Sequence, residues 1–460
     1  MRKRFAKDPV TDRSLRHSVR DGVAYSVMTG GGETYFSAFA LHLKATASQI
    51  GWLAALPPLL GSMAQLVSAW LGHRYRRRKP LILAGALIQA LSWFPLALLP
   101  VLASEYAMPA LIASVVVYYA GANLSSPQWG SLMGDLVSPR RRGRFFGYRT
   151  RMASITAFIA MAVAGLILHG FDQRGWALGG YWTIFAIAAS ARFISLYHIA
   201  CMHDPGGHVA ALEVPPQREL WKRLRHSHFA RFTLFLALMQ FAVTLSSPFF
   251  TMYMLRDLQY SYLEFMTTSA VLILMQFLTL NWWGRIGDAF GNRLILVVTG
   301  VLITVLPGLW LISTDFYYLL GLQVLGGAVW AGFSLSAGNF VYDLVPSTRR
   351  ATFMAVHNVI SSTAVFAGAL IGGYLGTHLP TSFTWDGETY SWMTPLYGLF
   401  LISTLARMGV ALVFLPHLKE VRGVRSMSLG GLIFRITRFN ALAGFVFDII
   451  GARRPPRRRG

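Results

Sequence analysis

Long apolar runs separated by short polar or charged stretches dominate the chain between residues 22 and 416. Runs of roughly 20 residues are long enough to cross the ~30 Å hydrocarbon layer of a bilayer as helices. The pattern predicts twelve spans, at 22–43, 48–71, 79–102, 107–133, 145–170, 176–202, 229–255, 262–283, 293–313, 315–341, 353–378 and 393–416. We therefore expect an all-α polytopic membrane protein, since a membrane β-barrel would show alternating segments of about 10 residues.

The longest internal polar segment divides the spans into two sets of six. It contains three prolines, and its end at 217–228 is predicted to be a basic amphipathic helix at the membrane surface. The tail is predicted to hold an interfacial helix followed by a basic disordered end. The expected organisation is a basic arm at 1–21, an N-terminal bundle at 22–202, a linker at 203–228, a C-terminal bundle at 229–416 and the tail at 417–460.

Two short charged turns indicate that the halves are related to each other. Each lies between two apolar runs and carries an acid, a proline and two aligned arginines: Asp135, Arg141 and Arg142 in the first half, Asp343, Arg349 and Arg350 in the second. We interpret both turns as cytoplasmic clasps that hold consecutive spans together. Solvated surface charge is the simpler alternative.

Basic residues indicate the orientation. The chain has 42 Lys and Arg against 19 Asp and Glu. If the N-terminus is cytoplasmic, most basic residues fall on cytoplasmic segments, and Lys44, Arg174 and Arg256 fall on external ones. The positive-inside rule predicts this for twelve spans with both termini in the cytoplasm. The charge is therefore expected to face anionic membrane lipid; no separate basic domain suggests nucleic acid as a partner.

A glycine-rich motif lies between spans 8 and 9. A glycine is followed by an acid four positions on, then a glycine and a basic residue: Gly284, Asp288, Gly291 and Arg293. This motif and the two six-span halves resemble the major facilitator superfamily of secondary transporters. The resemblance implies two bundles related by an axis along the membrane normal, a central cavity lined mainly by spans 1, 4, 7 and 10, and a cytoplasmic latch at Asp288. The matching segment 72–79 lacks the acid.

Glu33 is the leading candidate for chemistry. It lies about 12 residues into the first span, or ~18 Å along a helix, which places it close to mid-membrane. A carboxylate there is costly to ionise and can carry a proton. The glycines 30–32 and the segment 246–248 weaken the first and seventh spans at matching places, and interrupted helices of this kind indicate a substrate site. A structural tie to a neighbouring helix is the alternative.

Other polar side chains within the spans are weaker candidates for the cavity: Asn123, Gln128, Gln240, Gln276, Trp330 and Asn339. Amides in membrane helices often only join one helix to another. Tyr118 and Tyr119 are expected either in the cavity or in an aromatic belt. Arg192 and Arg407 are mates in the two halves, and the resemblance places them on scaffold helices. We expect them to bind Asp135 and Asp343 or backbone carbonyls; if one faces the cavity, an anionic substrate is favoured.

The motifs of other protein classes are missing from the sequence. It has no phosphate-binding loop ending in Lys-Ser or Lys-Thr, no histidine–cysteine cluster and no Gly-x-Ser-x-Gly element. We therefore expect no enzyme and no cofactor. The expected function is secondary transport of a small solute by alternating access, coupled to protons through Glu33 as in a symporter, by a monomer in the inner membrane. A transporter-like sensor or assembly factor that transports nothing is the alternative.

Overall fold

The computed structural model describes residues 5–75, 77–101, 104–138, 141–206, 228–344, 350–385, 388–418 and 420. In the first half, a 3-10 turn at Glu33–Tyr35 joins the first two helices, and another at Leu99–Val101 follows the fifth. The helices of this half are α1 Pro9–Gly31, α2 Phe36–His42, α3 Ala47–Tyr75, α4 Lys79–Leu91, α5 Trp93–Leu98, α6 Ser104–Leu136, α7 Arg142–Asp172 and α8 Ala177–Ala200.

The second half repeats this order. Its helices are α9 His228–Thr244, α10 Phe249–Met252, α11 Tyr262–Phe290, α12 Asn292–Leu309, α13 Phe316–Leu344, α14 Arg350–His378 and α15 Leu396–Phe414. A π-helical turn at Tyr253–Asp257 follows α10, and a 3-10 turn at Leu415–His417 ends α15. Between α14 and α15, an antiparallel hairpin of β1 Ser382–Trp385 and β2 Glu388–Ser391 was not predicted.

The predicted all-α membrane architecture is confirmed. Within the described ranges, eleven helical segments are long and apolar enough to cross a membrane, and they match the second to twelfth predicted spans. The pair α1 and α2 lies at the first span, where charged residues keep the mean hydropathy of α1 low. Residues 217–227 of the predicted surface helix and 421–460 of the tail lie outside the described residues.

The first helix begins earlier than the hydropathy pattern predicts. Asp8 caps α1, and its carboxylate accepts a hydrogen bond of 2.8 Å from the backbone N–H of Thr11. Pro9 occupies the first turn, where its missing N–H is not needed. Residues 9–21, predicted as part of a cytoplasmic arm, are therefore helical. Polar residues on one side of this segment, including Asp12 and Asp21, are buried against the bundle.

The two halves use the same packing scheme. In the first half α1 packs on α7 and α8, α3 on α6, and α4 on α6 and α8. In the second half the equivalent helices pair in the same way: α9 with α14 and α15, α11 with α13, and α12 with α13 and α15. The two most extensive contacts between the halves are α3 with α14 and α7 with α11. The symmetry that relates the halves turns one of these contacts into the other. The repeat inferred from the charged turns is thus a repeat of tertiary structure.

Backbones from the two halves touch where α3 begins and α14 ends. A Cβ atom added to Gly51 would lie 2.7 Å from the carbonyl oxygen of Ala369, and one added to Gly373 would lie 3.1 Å from the Cα atom of Gly51. Only glycine allows this approach of the two helices. With the predicted cytoplasmic N-terminus, this contact closes the external end of the molecule.

The second contact between the halves lies at the same end. The Tyr181 and Tyr262 hydroxyls are 3.1 Å apart, and the rings of Tyr35 and Phe265 pack edge to face with centroids 6.2 Å apart. α7 ends and α11 begins at this end of the molecule. Both contacts between the halves thus contribute to closing one face of the bundle.

We expect Gly373→Val to prevent the external closure, because a valine side chain cannot fit where the two backbones touch. Spin labels at Lys44→Cys and His378→Cys, in a Cys201→Ser background, should show a longer distance across this end in the valine variant. Gly409→Val is the matched control, since a Cβ atom there meets nothing within 4 Å. An unchanged distance distribution for Gly373→Val would contradict this role of the glycine.

Candidate functional site

The break between α1 and α2 is enforced by close packing. A Cβ atom on Gly30 would lie 2.1 Å from the carbonyl oxygen of Ala157 in α7, and one on Gly32 would lie 2.4 Å from the ring of Trp93. Both glycines are therefore required by the approach of neighbouring elements. α1 ends at Gly31, and the single 3-10 turn that follows begins with Glu33.

Two neighbouring tyrosines of α6 hold the Glu33 carboxylate. The Tyr118 hydroxyl donates to Oε2 over 2.7 Å, and the Tyr119 hydroxyl donates to Oε1 over 2.6 Å. Tyr118 is fully buried, with its ring against Trp93 and Phe36 at centroid distances of 5.4 and 5.3 Å. Both oxygens of the Glu33 carboxylate therefore accept a phenol hydrogen bond, which fixes the orientation of the group.

Glu33 opens onto a cavity of about 280 Å³ between the halves. α1 and its following turn contribute Thr29 and Thr34, α6 contributes Tyr119, and α7 contributes the apolar residues Phe158 and Met161. The second half contributes Ile273 of α11. Among the described residues that line this cavity, Glu33 is the only charged one. The chamber thus combines one acid, three hydroxyl groups and an apolar wall.

The second half has a matching break between α9 and α10. α9 ends at Thr244, and Phe249 begins α10. The buried guanidinium of Arg407 lies at this break: it donates 3.3 Å to the carbonyl of Val243, 2.8 Å to the hydroxyl of Ser246 and 3.2 Å to the carbonyl of Ile303. Arg407 therefore stabilises the irregular backbone, and it is not among the residues that line the cavity described above.

Arg192 is buried in a different setting. Its Nη1 donates 2.7 Å to the Ser195 hydroxyl, and that hydroxyl donates 2.7 Å to Oδ1 of Asp21. The other oxygen of Asp21 is 3.2 Å from Arg149 of α7. The guanidinium carbon of Arg192 lies 5.0 Å from the centroid of the Tyr25 ring. Neither intramembrane arginine binds Asp135 or Asp343, the carboxylates considered for them from the sequence.

The other predicted cavity residues lie away from this chamber. Asn123 accepts a hydrogen bond of 2.6 Å from Gln65, and Gln128 donates 2.8 Å to the carbonyl of Ser68, so both join α6 to α3. In the second half the remaining candidates are half-buried and are not among the residues that line the chamber: Gln240, Gln276, Trp330 and Asn339. The structure brings Glu33 together with Tyr118 and Tyr119 and not with these amides.

A buried arginine forms a clasp at the predicted cytoplasmic end of the first half. Arg78 is 2% exposed and reaches Asp135 at the end of α6 over 2.5 Å. Its Nη2 is 2.8 Å from Asp204, just after α8. Burial by itself raises the pKa of Asp204, but the hydrogen bonds from Arg78 and the Gly206 amide outweigh burial and lower it. The clasp thus joins the α3–α4 turn, α6 and the start of the linker.

The predicted partners of Asp135 in its own turn play other roles or cannot be placed. Arg141 donates 2.9 Å to the carbonyl of Phe5, and the side chain of Arg142 lies outside the described residues. In the second half Arg349 and the side chain of Arg350 also lie outside them. Asp343 accepts a hydrogen bond of 3.2 Å from the Asn292 amide.

The glycine motif between α11 and α12 builds a turn rather than a latch in this conformation. Gly291 has a φ of +88°, which glycine adopts without strain, and it ends α11 directly before α12. Arg293 donates to the carbonyl of Leu418, while a Cβ atom on Gly284 would meet only Leu335, at 3.9 Å. Asp288 is exposed and has no hydrogen bond or ion pair within the described chain. The latch at Asp288 therefore stays a prediction.

Two buried charged residues, Asp21 and Arg78, were missed by the sequence analysis. Asp21 was assigned to a cytoplasmic arm, yet it lies one helical turn before Tyr25 on a buried polar face of α1. Arg78 was not among the candidate residues, although it is buried and forms the clasp. Polar residues recur every four positions at 17, 21 and 25, and this spacing could have identified Asp21 from the sequence.

Comparisons with known proteins agree with this architecture. The model of the MFS_1 like family matches residues 24–386. The multidrug resistance protein MdtH of Klebsiella pneumoniae (strain 342) is 26% identical over 207 residues, which are 44% of this chain and 47% of that protein. MdtH of Edwardsiella ictaluri (strain 93-146) is 27% identical over 178 residues, 37% of this chain and 42% of that protein. The chain thus spans less than half the length of these curated relatives.

Solved structures show the same fold at low sequence identity. A bacterial homologue of the iron transporter ferroportin, in an inward-facing state, has a TM-score of 0.68 at 15% identity, over 88% of this chain and 98% of that one. A D-xylose-proton symporter has a TM-score of 0.65 at 12% identity, over 91% of this chain and 99% of that one. At these identities the comparison establishes the fold only. The ligand has to be inferred from the chemistry of the site.

We expect Arg78→Ala to destabilise the first half by about 3 kcal/mol, because it leaves two carboxylates without their shared cation. Denaturant titration of the purified protein in micelles measures the free energy of unfolding. Arg77→Ala is the matched control: Arg77 is exposed, so its loss should change stability by no more than about 0.5 kcal/mol. Equal effects of the two substitutions would contradict the clasp.

Proposed function

Because the chain belongs to the MFS_1 like family and is a membrane transporter rather than an enzyme, we propose that it is a secondary transporter that couples a small solute to protons through Glu33. The solute occupies the chamber between the halves. Glu33 is the group that takes up and releases the coupling proton. The two bundles rock about this chamber and expose it to each side of the membrane in turn.

The observation that carries this proposal is the position of Glu33. Its carboxylate lies at a helix break, is held by two phenols and faces a chamber that both halves line. A carboxylate with a purely structural task would be enclosed between helices, and Glu33 is only half-buried. An acid that can exchange one proton in a chamber of changing access couples proton movement to solute movement.

The arrangement of the halves supports alternating access. Closure at one end rests on a glycine crossing and two tyrosines, which can separate without breaking a buried ion pair. With a cytoplasmic N-terminus this conformation is inward-facing, and the similarity to an inward-facing ferroportin homologue is in line with that assignment. We expect Asp288 to form the latch contact when the cytoplasmic ends of the two halves approach each other.

The similar proteins support a proposal about the membrane and the energy source of transport. MdtH proteins of bacteria and a proton symporter share parts of the sequence or the fold, so proton-coupled transport in a bacterial inner membrane is the setting that we propose. The chamber is lined by residues of a single chain, so a monomer suffices for the cycle that we propose. Arg192 and Arg407 are both bound inside their own halves, which removes the argument for an anionic substrate.

We expect Glu33→Gln to abolish solute accumulation driven by a pH gradient while exchange of solute across the membrane continues, because glutamine binds no coupling proton. Solutes that raise the melting temperature of the purified protein supply the candidates. Proteoliposomes with a trapped pH-sensitive dye then report proton movement when each solute is added.

Glu264→Gln is the matched control for this experiment. Glu264 belongs to the capping box at the start of α11, where it accepts hydrogen bonds from Ser261, and it is not among the residues that line the chamber. This variant should keep gradient-driven accumulation. Accumulation by Glu33→Gln at the rate of the wild type would reject the coupling role.

A further inference from the structure

One short turn reaches from the chamber to the contact between the halves. The 3-10 turn Glu33–Tyr35 begins with the carboxylate that lines the chamber and ends with a tyrosine that is 0% exposed. The backbone N–H of Tyr35 donates 3.0 Å to the carbonyl of Gly32, which closes the turn. The side chains of Glu33 and Tyr35 are therefore two residues apart on a single hydrogen-bonded unit.

Tyr35 lies between α7 of the first half and α11 of the second. Its hydroxyl donates 2.7 Å to the carbonyl of Met161 in α7, and its ring packs edge to face on Phe265 in α11, with centroids 6.2 Å apart. Gly165 makes room for this arrangement, because a Cβ atom there would lie 2.8 Å from the Tyr35 hydroxyl and 2.4 Å from Met266. The far end of the turn is thus part of the α7–α11 contact, which closes the predicted external end.

The residues on either side of the turn leave it little freedom to move at one end only. A Cβ atom on Gly32, directly before the turn, would lie 2.4 Å from the ring of Trp93. Directly after the turn, the ring of Phe36 packs on Trp93 and Tyr118 with centroid distances of 5.3 Å. Close-packed groups transmit a displacement because they have no free space to absorb it. A change in the hydrogen bonds of Glu33 therefore has to be taken up at the far end of the turn.

We propose that Tyr35 is a positioning residue that couples the chamber to the α7–α11 contact. When Glu33 exchanges its phenol partners for a proton or a solute, the turn shifts and withdraws Tyr35 from between the halves. The external end then opens in step with the chamber. This inference rests on the proposed transport function. Tyr35 is not among the residues that line the chamber, so it acts through the turn.

The symmetry of the halves shows why this link belongs to one contact. Gly165 and Gly373 occupy matching places in α7 and α14, but their neighbours differ. Gly165 faces the side chains of Tyr35 and Met266, whereas Gly373 faces the backbone of Gly51. The α7–α11 contact can therefore respond to the chamber through a side chain, while the α3–α14 contact is a close approach of two backbones.

Spin labels measure the opening of this end in the full-length protein in liposomes without any solute. The labelled pair is Arg174→Cys and Gln259→Cys, two exposed positions after α7 and before α11, in a Cys201→Ser background. Glu33→Ala removes the acceptor of both phenol hydrogen bonds and should raise the ratio of open to closed populations about threefold. Tyr35→Leu should raise it to a similar extent.

The double variant is the decisive measurement. In a Tyr35→Leu background, Glu33→Ala should raise the ratio little further, because the turn no longer has a side chain between α7 and α11. A tyrosine that only fills space would give independent effects, and the changes in free energy would then add. Tyr35→Phe removes only the hydroxyl and disturbs the fold least. It should also reduce the response to Glu33→Ala, so the cycle can be run with this variant alone if Tyr35→Leu does not fold.

Tyr253→Leu is the matched control. Tyr253 is equally buried, and its hydroxyl lies 3.1 Å from that of Tyr397 within the second half. Its loss should lower stability, leave the ratio of open to closed populations unchanged and leave the response to Glu33→Ala at its full size. A reduced response in this variant would mean that any buried tyrosine has the effect, and it would overturn the inference.

The outcomes separate this inference from the proposed function. An unchanged ratio in Glu33→Ala, or additive effects of Glu33→Ala and Tyr35→Leu, overturns the link through Tyr35 and leaves proton coupling by Glu33 standing. The coupling role is decided by the accumulation assay with Glu33→Gln, in which Tyr35 is unchanged. Accumulation at the wild-type rate in that assay rejects the coupling role, whereas a non-additive cycle supports the link between the chamber and the closed end.

Discussion

A charge placed inside a bundle that crosses a bilayer has to be stabilised by the protein, because lipid offers neither counter-charge nor hydrogen bond. This constraint explains the central features of the structure. The Glu33 carboxylate accepts hydrogen bonds from two phenols, and Arg407 donates to backbone carbonyls and serine hydroxyls. Arg192 donates to a serine hydroxyl and lies over the ring of Tyr25. The helix breaks are where the backbone and these side chains meet.

The two halves satisfy the same constraint in different ways. They share helix order and packing, yet single partners differ. Arg192 is linked through Ser195 to the carboxylate of Asp21, whereas Arg407 donates to the hydroxyl of Ser246. Asp135 binds Arg78, whereas Asp343 accepts a hydrogen bond from Asn292. Ionic contacts in a low-dielectric interior are stronger and respond to protonation. The proton coupling that we propose therefore depends on residues of the first half.

The contact between the halves is of another kind. Glycine backbones of α3 and α14 and hydroxyls of Tyr181 and Tyr262 meet there. Contacts of this kind give close packing at little desolvation cost when they separate. The strong ionic clasp of Arg78 lies within one half, so each bundle can move as a unit while the surface between the bundles stays easy to open. That division is what a rocking transporter requires.

The sequence by itself determined the spans, the division into halves and the interrupted first and seventh spans, because hydropathy, helix-weakening residues and repeated turns are local properties of the chain. It also singled out Glu33, since an acid deep within a span is visible without knowing its neighbours. Only the tertiary structure showed that Tyr118 and Tyr119 bind Glu33, that Asn123 and Gln128 join helices, and that Arg78 forms a buried clasp. These outcomes depend on which face of a helix meets which neighbour, and on residues more than 80 positions apart for Glu33 and its tyrosines. The hydrophobic pattern of a helix buried on most sides does not carry that information.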